Sequence, residues 1–137
     1  LKVSLFIIVS LFCSSLLSQS NISEIFIKNA TNKDWEDITQ DDDYIYIGDI
    51  GNNNGDREDL NILKISKQAY NSSDEVEAER INFRYADQES FLTTTNSDYD
   101  AEAIFSKGDY LIVLTKQWQQ MGTGAYKIPK TPGDYNL

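Results

Sequence analysis

The sequence predicts an all-β chain of repeated four-stranded antiparallel units, on three observations. The stretch Asp34 to Asn52 reappears without a gap as Asp100 to Trp118, so that Glu36 falls on Glu102, 66 residues later, and Tyr44-Ile-Tyr-Ile47 falls on Tyr110-Leu-Ile-Val113. A second block, Leu63 to Lys67, falls on Tyr126 to Lys130, 63 residues later. Between these blocks, short runs rich in β-branched and aromatic residues are separated by Asn, Asp and Gly turns, the pattern of short strands. A fixed period constrains architecture before any local reading does.

Taken in order, Ile22 to Ile27 reads as a short strand and Asn29 to Asn32 as a polar turn. Trp35 to Thr39 opens the first unit, and Gln40 to Asp43 is an acidic turn. Tyr44 to Ile50 is the clearest strand; its nearly continuous apolar run is expected where both faces of a sheet are covered. Gly51 to Asp59 is a loop containing Asn54-Gly55, a hairpin-turn dipeptide. Leu60 to Ile65 returns as a third strand. Lys67 to Glu79 is polar and loop-like, with room for one helical turn. Arg80 to Tyr85 alternates and makes a fourth strand, and Ala86 to Tyr99 is a long polar connection to the second copy.

Four strands per repeat, stacked by repetition, is the blade of a β-propeller. The expected domains are a first blade at 34–85, an incomplete second blade at 100–137, and a strand at 22–27 that would close a ring as its outer strand. A sandwich or a solenoid accounts less well for two equivalent blocks at this period. The chain starts at Leu1 rather than Met and stops within the second repeat, so it is expected to be a partial β-propeller domain, 19–137, whose remaining blades belong to the same full-length protein.

Leu1 to Ser18 has the form of a secretory signal peptide: Lys2 followed by the apolar run Leu5 to Leu17. That run is short for a membrane anchor. Cys13 is the only cysteine and lies within it, so the mature chain carries no disulfide. A secreted or cell-surface location follows. The net charge of −10 opposes nucleic acid and anionic membrane surfaces as partners. It favours cations, basic partners or neutral glycans. The absence of histidine excludes serine–histidine and cysteine–histidine chemistry within the chain.

Asp34-Trp-Glu-Asp-Ile38, Tyr44-Ile-Tyr-Ile-Gly-Asp49, Gly51-Asn-Asn53, Asp100-Ala-Glu-Ala-Ile104 and Tyr126-Lys-Ile-Pro-Lys-Thr-Pro-Gly133 together resemble the opening repeats of uncharacterised secreted β-propeller proteins of Bacteroidota. Those proteins often end in a type IX secretion sorting domain. The resemblance covers Ile22 to Leu137 and implies fold and location; it implies no activity.

The candidate site residues are the paired Asp-x-Glu motifs, Asp34 with Glu36 and Asp100 with Glu102. Residues two apart on a strand share a face, so each motif can present two carboxylates to one surface. Crowded carboxylates bind a cation or hold a proton. Oxygen-only ligands make calcium the one cofactor the sequence points to. The structural alternative is that these acids accept backbone N–H bonds and tie neighbouring blades together. Asp49 opens an Asp-, Asn- and Gly-rich loop. That loop is either a calcium loop or a solvated hairpin, and Leu60 stands where the helix-flanked calcium pattern needs Glu. Trp118, set among Gln117, Gln119 and Gln120, is the aromatic best suited to stack on a ligand; packing between blades is the structural alternative.

Two functions fit. One is an extracellular binding or scaffold module for a glycan, protein or small molecule, with an acidic, calcium-binding channel. The other is a calcium-dependent phosphoesterase-like hydrolase using the same acids. None of the three arginines, Arg57, Arg80 and Arg84, lies in the acidic motifs, which weighs against phosphate chemistry.

Overall fold

The computed structural model describes residues 24–137; the signal-peptide reading of residues 1–18 lies outside them. The fold is all-β, with one short helix. Its strands are β1 (Phe26–Ile27), β2 (Trp35–Gln40), β3 (Tyr44–Asp49), β4 (Asn61–Ser66), β5 (Glu75–Val76), β6 (Glu79–Arg84), β7 (Asp100–Lys107), β8 (Tyr110–Gln117), β9 (Gly122–Pro129) and β10 (Gly133–Asn136). The helix α1 is Lys67–Ser72.

The first sheet runs β10-β6-β4-β3-β2 and the second β7-β8-β9. Neither closes on itself. Strands β2, β3, β4 and β6 form an antiparallel meander, the four-stranded unit the sequence predicts. A three-residue acidic turn, Asp41 to Asp43, joins β2 to β3. In the second sheet Gly108 takes φ +56° in the turn joining β7 to β8, a conformation a Cβ disfavours. Strand β10 was not expected. It pairs parallel with β6, Asp134 opposite Asn82 and Asn136 opposite Arg84. Residues Phe26–Ile27, the described end of the expected 22–27 strand, pair parallel with Glu75–Val76.

The alternation along β3 explains how two cores form. Ile45 and Ile47 point into a cluster with Ile27, Leu63, Ile65, Val76 and Ala78, capped by the β1–β5 ribbon and α1. Tyr46 points the other way, into a larger cluster between the sheets that includes Ile62, Ile81 and Phe83 from one sheet and Ile104, Leu111, Val113 and Ile128 from the other. The middle of the first sheet, at β3 and β4, is thus covered on both faces, as the continuous apolar run of β3 requires. The second buries only one face, and Phe105 and Tyr110 lie exposed on it. No helix among the described residues is long and apolar enough to cross a membrane.

Tyr85 sits at the centre of the larger core, its ring 4.5 Å from that of Tyr126 and 5.3 Å from that of Tyr99. Its hydroxyl is buried with no hydrogen-bond partner among the described residues, and burial pushes its ionisation far up. Removing an unpaired buried hydroxyl loses no bond. Tyr85→Phe is therefore expected to keep stability or raise it by up to ~1 kcal/mol in urea unfolding. A comparable loss would show that the hydroxyl is bonded in solution.

Candidate functional site

The two Asp-x-Glu motifs stand side by side, because β2 and β7 are neighbouring edge strands of the two sheets. They are joined by side chain to backbone bonds rather than by a ladder. Ile104 N donates to Asp37 Oδ2 at 2.9 Å, and Ser106 N donates to Thr39 Oγ1 at 3.3 Å.

Each motif carries a β-bulge. The register of β2 on β3 slips between Trp35 and Asp37, and that of β7 on β8 between Ala101 and Ala103. The unpaired residues are Glu36 and Glu102. A bulge re-aims the side chain of its extra residue, so strict strand alternation does not describe these motifs.

Asp34 and Glu36 converge over Gly51. A Cβ built on Gly51 would lie 2.3 Å from Asp34 Oδ2 and 2.6 Å from Glu36 Oε1, so only glycine leaves room for both carboxyls where they sit. Asp34 is held from its backbone: its N–H donates to Asp49 Oδ1 at 3.1 Å, and its carbonyl accepts from Ile50 N and Gly51 N. Desolvation of the Glu36 carboxyl, the charges of Asp34 and Glu102, a hydrogen bond with Asp34 and the charge of Asp100 push its pKa up to about 7. Much of the Glu36 side chain nevertheless meets solvent. The charges of the other three predicted carboxylates thus all bear on Glu36. Among the described residues, no three acidic side chains are gathered closely enough to hold a metal ion.

Asp100 differs from Asp34. It is buried at 4% exposure, and its oxygens are occupied by Asn52 N at 2.8 Å, Asn53 Nδ2 at 3.3 Å and Trp118 Nε1 at 3.1 Å. It ties the loop after β3 to the start of β7 and to the end of β8. Trp118 is half-buried, with Lys116 Nζ 3.4 Å from its ring centre. One ring face is thus occupied by a cation. Asp49, buried, accepts from Asp34 N and from Arg57 Nη2 at 3.0 Å. Arg57 also donates to Gly51 O and to Asp59 Oδ1, lacing the loop together.

Sequence reasoning overlooked Asp37, Arg57 and above all Asp41. Burial opposes ionisation of Asp41, but bonds from Lys130 Nζ, Tyr46 OH and the N–H groups of Tyr44 and Asp43 outweigh it and hold its carboxyl well below the usual range. Its carbonyl accepts from Lys67 Nζ. Lys67 and Lys130 hold equivalent places in the repeated block, and that equivalence was the available signal.

No protein-family description, curated protein or solved structure matches this chain.

Proposed function

We propose that this chain is part of a secreted β-propeller module with a binding or scaffold role, in which the acidic cluster at the junction of β2 and β7 is a weak cation site where calcium and a proton compete. The observation that carries the cation reading is the convergence of Asp34 and Glu36 over Gly51, on a strand packed against β7, where the charges of Glu102 and Asp100 also bear on Glu36. A cluster that retains a proton near neutral pH relieves the same repulsion by accepting a cation. Calcium would have to draw the two motifs closer together, and the bulges leave both glutamates outside the ladders for that movement.

Support for the propeller reading comes from matching details in the two units. Their bulges lie 66 residues apart, at Glu36 and Glu102. Lys67 N donates to Asp43 O and Lys130 N to Asp109 O, the same bond in each copy. The exposed face of the second sheet is the counterpart of the face by which the first sheet meets it. Asp100 and Asp37 act as joints between sheets, as a rigid scaffold needs. The hydrolase alternative gains no such support: Arg57, the arginine nearest the cluster, commits Nε, Nη1 and Nη2 to Asp59, Gly51 and Asp49.

The test is a calcium titration followed by melting temperature on both sides of the Glu36 pKa. Glu36 has a folded pKa of about 7 against the ordinary 4.5, so between these values the folded state holds more protons than the unfolded one. Stability from this group is therefore expected to fall as pH rises from 4.5 to 7. Above pH 7 calcium should raise the melting temperature; at pH 5 the rise should be much smaller. Both effects should vanish in a Glu36→Gln, Glu102→Gln variant. An absent calcium response at high pH, or an equal response in the variant, overturns the cation site.

A further inference from the structure

We propose that a polar groove on the outer face of the first sheet, at its β6–β10 end, is a binding site for a neutral oligosaccharide. The groove has a volume of about 700 Å³, and none of Asp34, Glu36, Asp100 or Glu102 lines it. That volume is in the range of small-molecule sites. Its lining is unlike that of a site for an apolar ligand.

The floor follows from strand alternation. Along β6, Ile81 and Phe83 are buried in the core between the sheets, so Arg80, Asn82 and Arg84 occupy the opposite face. Cross-strand register then sets a row of Asn61, Asn82 and Asp134 over three strands, and Asn136 beside Arg84. The pairing of β10, which no sequence pattern announced, completes this floor.

The floor is pre-organised. Arg80 Nη1 donates to Asn61 Oδ1 at 3.1 Å, and Nη2 to Asn29 O at 2.7 Å. Asn82 Nδ2 donates to Asp134 Oδ1 at 3.0 Å. These bonds leave Asn82 Oδ1 and Asp134 Oδ2 as acceptors beside the two-ended amide of Asn136 and the donors of Arg84. Adjacent planar donors and acceptors are what neighbouring sugar hydroxyls bind, since each hydroxyl both donates and accepts.

Charge decides between neutral and ionic ligands. In a chain of net charge −10, the groove is locally balanced. Lys33, Arg80 and Arg84 line it against Asp49, Glu58, Asp59 and Asp134. Arg57 stands directly behind, bonded to Asp49 and Asp59, and makes the count equal. A locally neutral wall neither repels nor selects a charged ligand, whereas its amides satisfy an uncharged polyol.

The experiment is isothermal titration of the full chain with cellotriose, xylotriose and mannotriose, and with trigalacturonate as the acidic comparator. At least one neutral trisaccharide is expected to bind, and its affinity to fall ~10-fold or more in Asn82→Ala, each lost hydrogen-bonding side chain being worth about that factor. Asn136→Ala, at an exposed position, is the second variant and should weaken binding without touching the fold. The proposal uses no residue of the acidic cluster, so Glu36→Gln should bind the sugar unchanged, whatever calcium does. Binding of trigalacturonate alone, binding untouched by both asparagine variants, or no binding of any neutral trisaccharide each overturns it.

Discussion

Asp41→Ala is expected to lower the unfolding free energy by ~3 kcal/mol, measured by urea denaturation at neutral pH. The carboxylate is three-quarters shielded from solvent and receives four hydrogen bonds: Asp43 N and Tyr44 N on Oδ1, Tyr46 OH at 2.8 Å and Lys130 Nζ at 2.7 Å on Oδ2. Removing it leaves the Lys130 ammonium, only 16% exposed, without its partner. A partly buried charge left alone costs far more than the pair contributed. The Lys130 bond also joins the end of β9 to the turn between β2 and β3, so the variant loosens one sheet from the other. Asp41→Asn keeps an acceptor for the turn but puts an amide against the lysine, and should cost less, ~1.5 kcal/mol. An alanine effect below ~0.5 kcal/mol would reduce these contacts to those of an ordinary surface pair.

The acid limb follows from the same residue. The Asp41 pKa is depressed below its ordinary 3.8 in the folded state. Its contribution is therefore present above pH 3.8 and lost as pH falls below it. This slope is opposite in sign to that of Glu36, and the two windows barely overlap. A stability profile should rise on leaving strong acid and then sag towards neutrality. Asp41→Ala should reduce the first limb, to which Asp59, held low by Lys33 and Arg57, also contributes, and leave the second unchanged.

Asp100→Ala is the second large effect, again ~3 kcal/mol. Asn52 N, Asn53 Nδ2 and Trp118 Nε1 would each lose an acceptor in a site only 4% exposed. A buried donor without a partner costs the desolvation of that group. The same substitution should raise Trp118 fluorescence quenching by iodide, because the indole loses the bond that holds it at the end of β8. Asp100→Asn is informative too: its amide can still accept from Asn52 N but presents hydrogens to two other donors, so it should recover only part of the loss. If both variants unfold like the native chain, Asp100 is no joint between the sheets.

These acids show why the site was partly legible. Asp34, Glu36, Asp100 and Glu102 are visible as a repeated pattern, and the structure does bring them together through adjacent β2 and β7. Their division of labour was not visible. Asp100 is sealed because the loop at Asn52 folds onto it, and Glu36 is re-aimed because its strand gains an unpaired residue. Asp41 carries the densest hydrogen bonding of any acid described, yet in the sequence it is one of three aspartates in a turn.

What the sequence alone determined is local: the strands β2, β3, β4 and β6, the acidic turn between β2 and β3, and the two-faced burial of β3. Side-chain alternation and turn chemistry act within a few residues, so they can be read along the chain. The tertiary structure alone decided that β10 joins β6, that Lys67 and Lys130 meet at Asp41, and that the arginines gather at a polar groove. Those contacts join residues dozens of positions apart, and their partners are chosen by which surfaces the sheets leave to be covered when they pack.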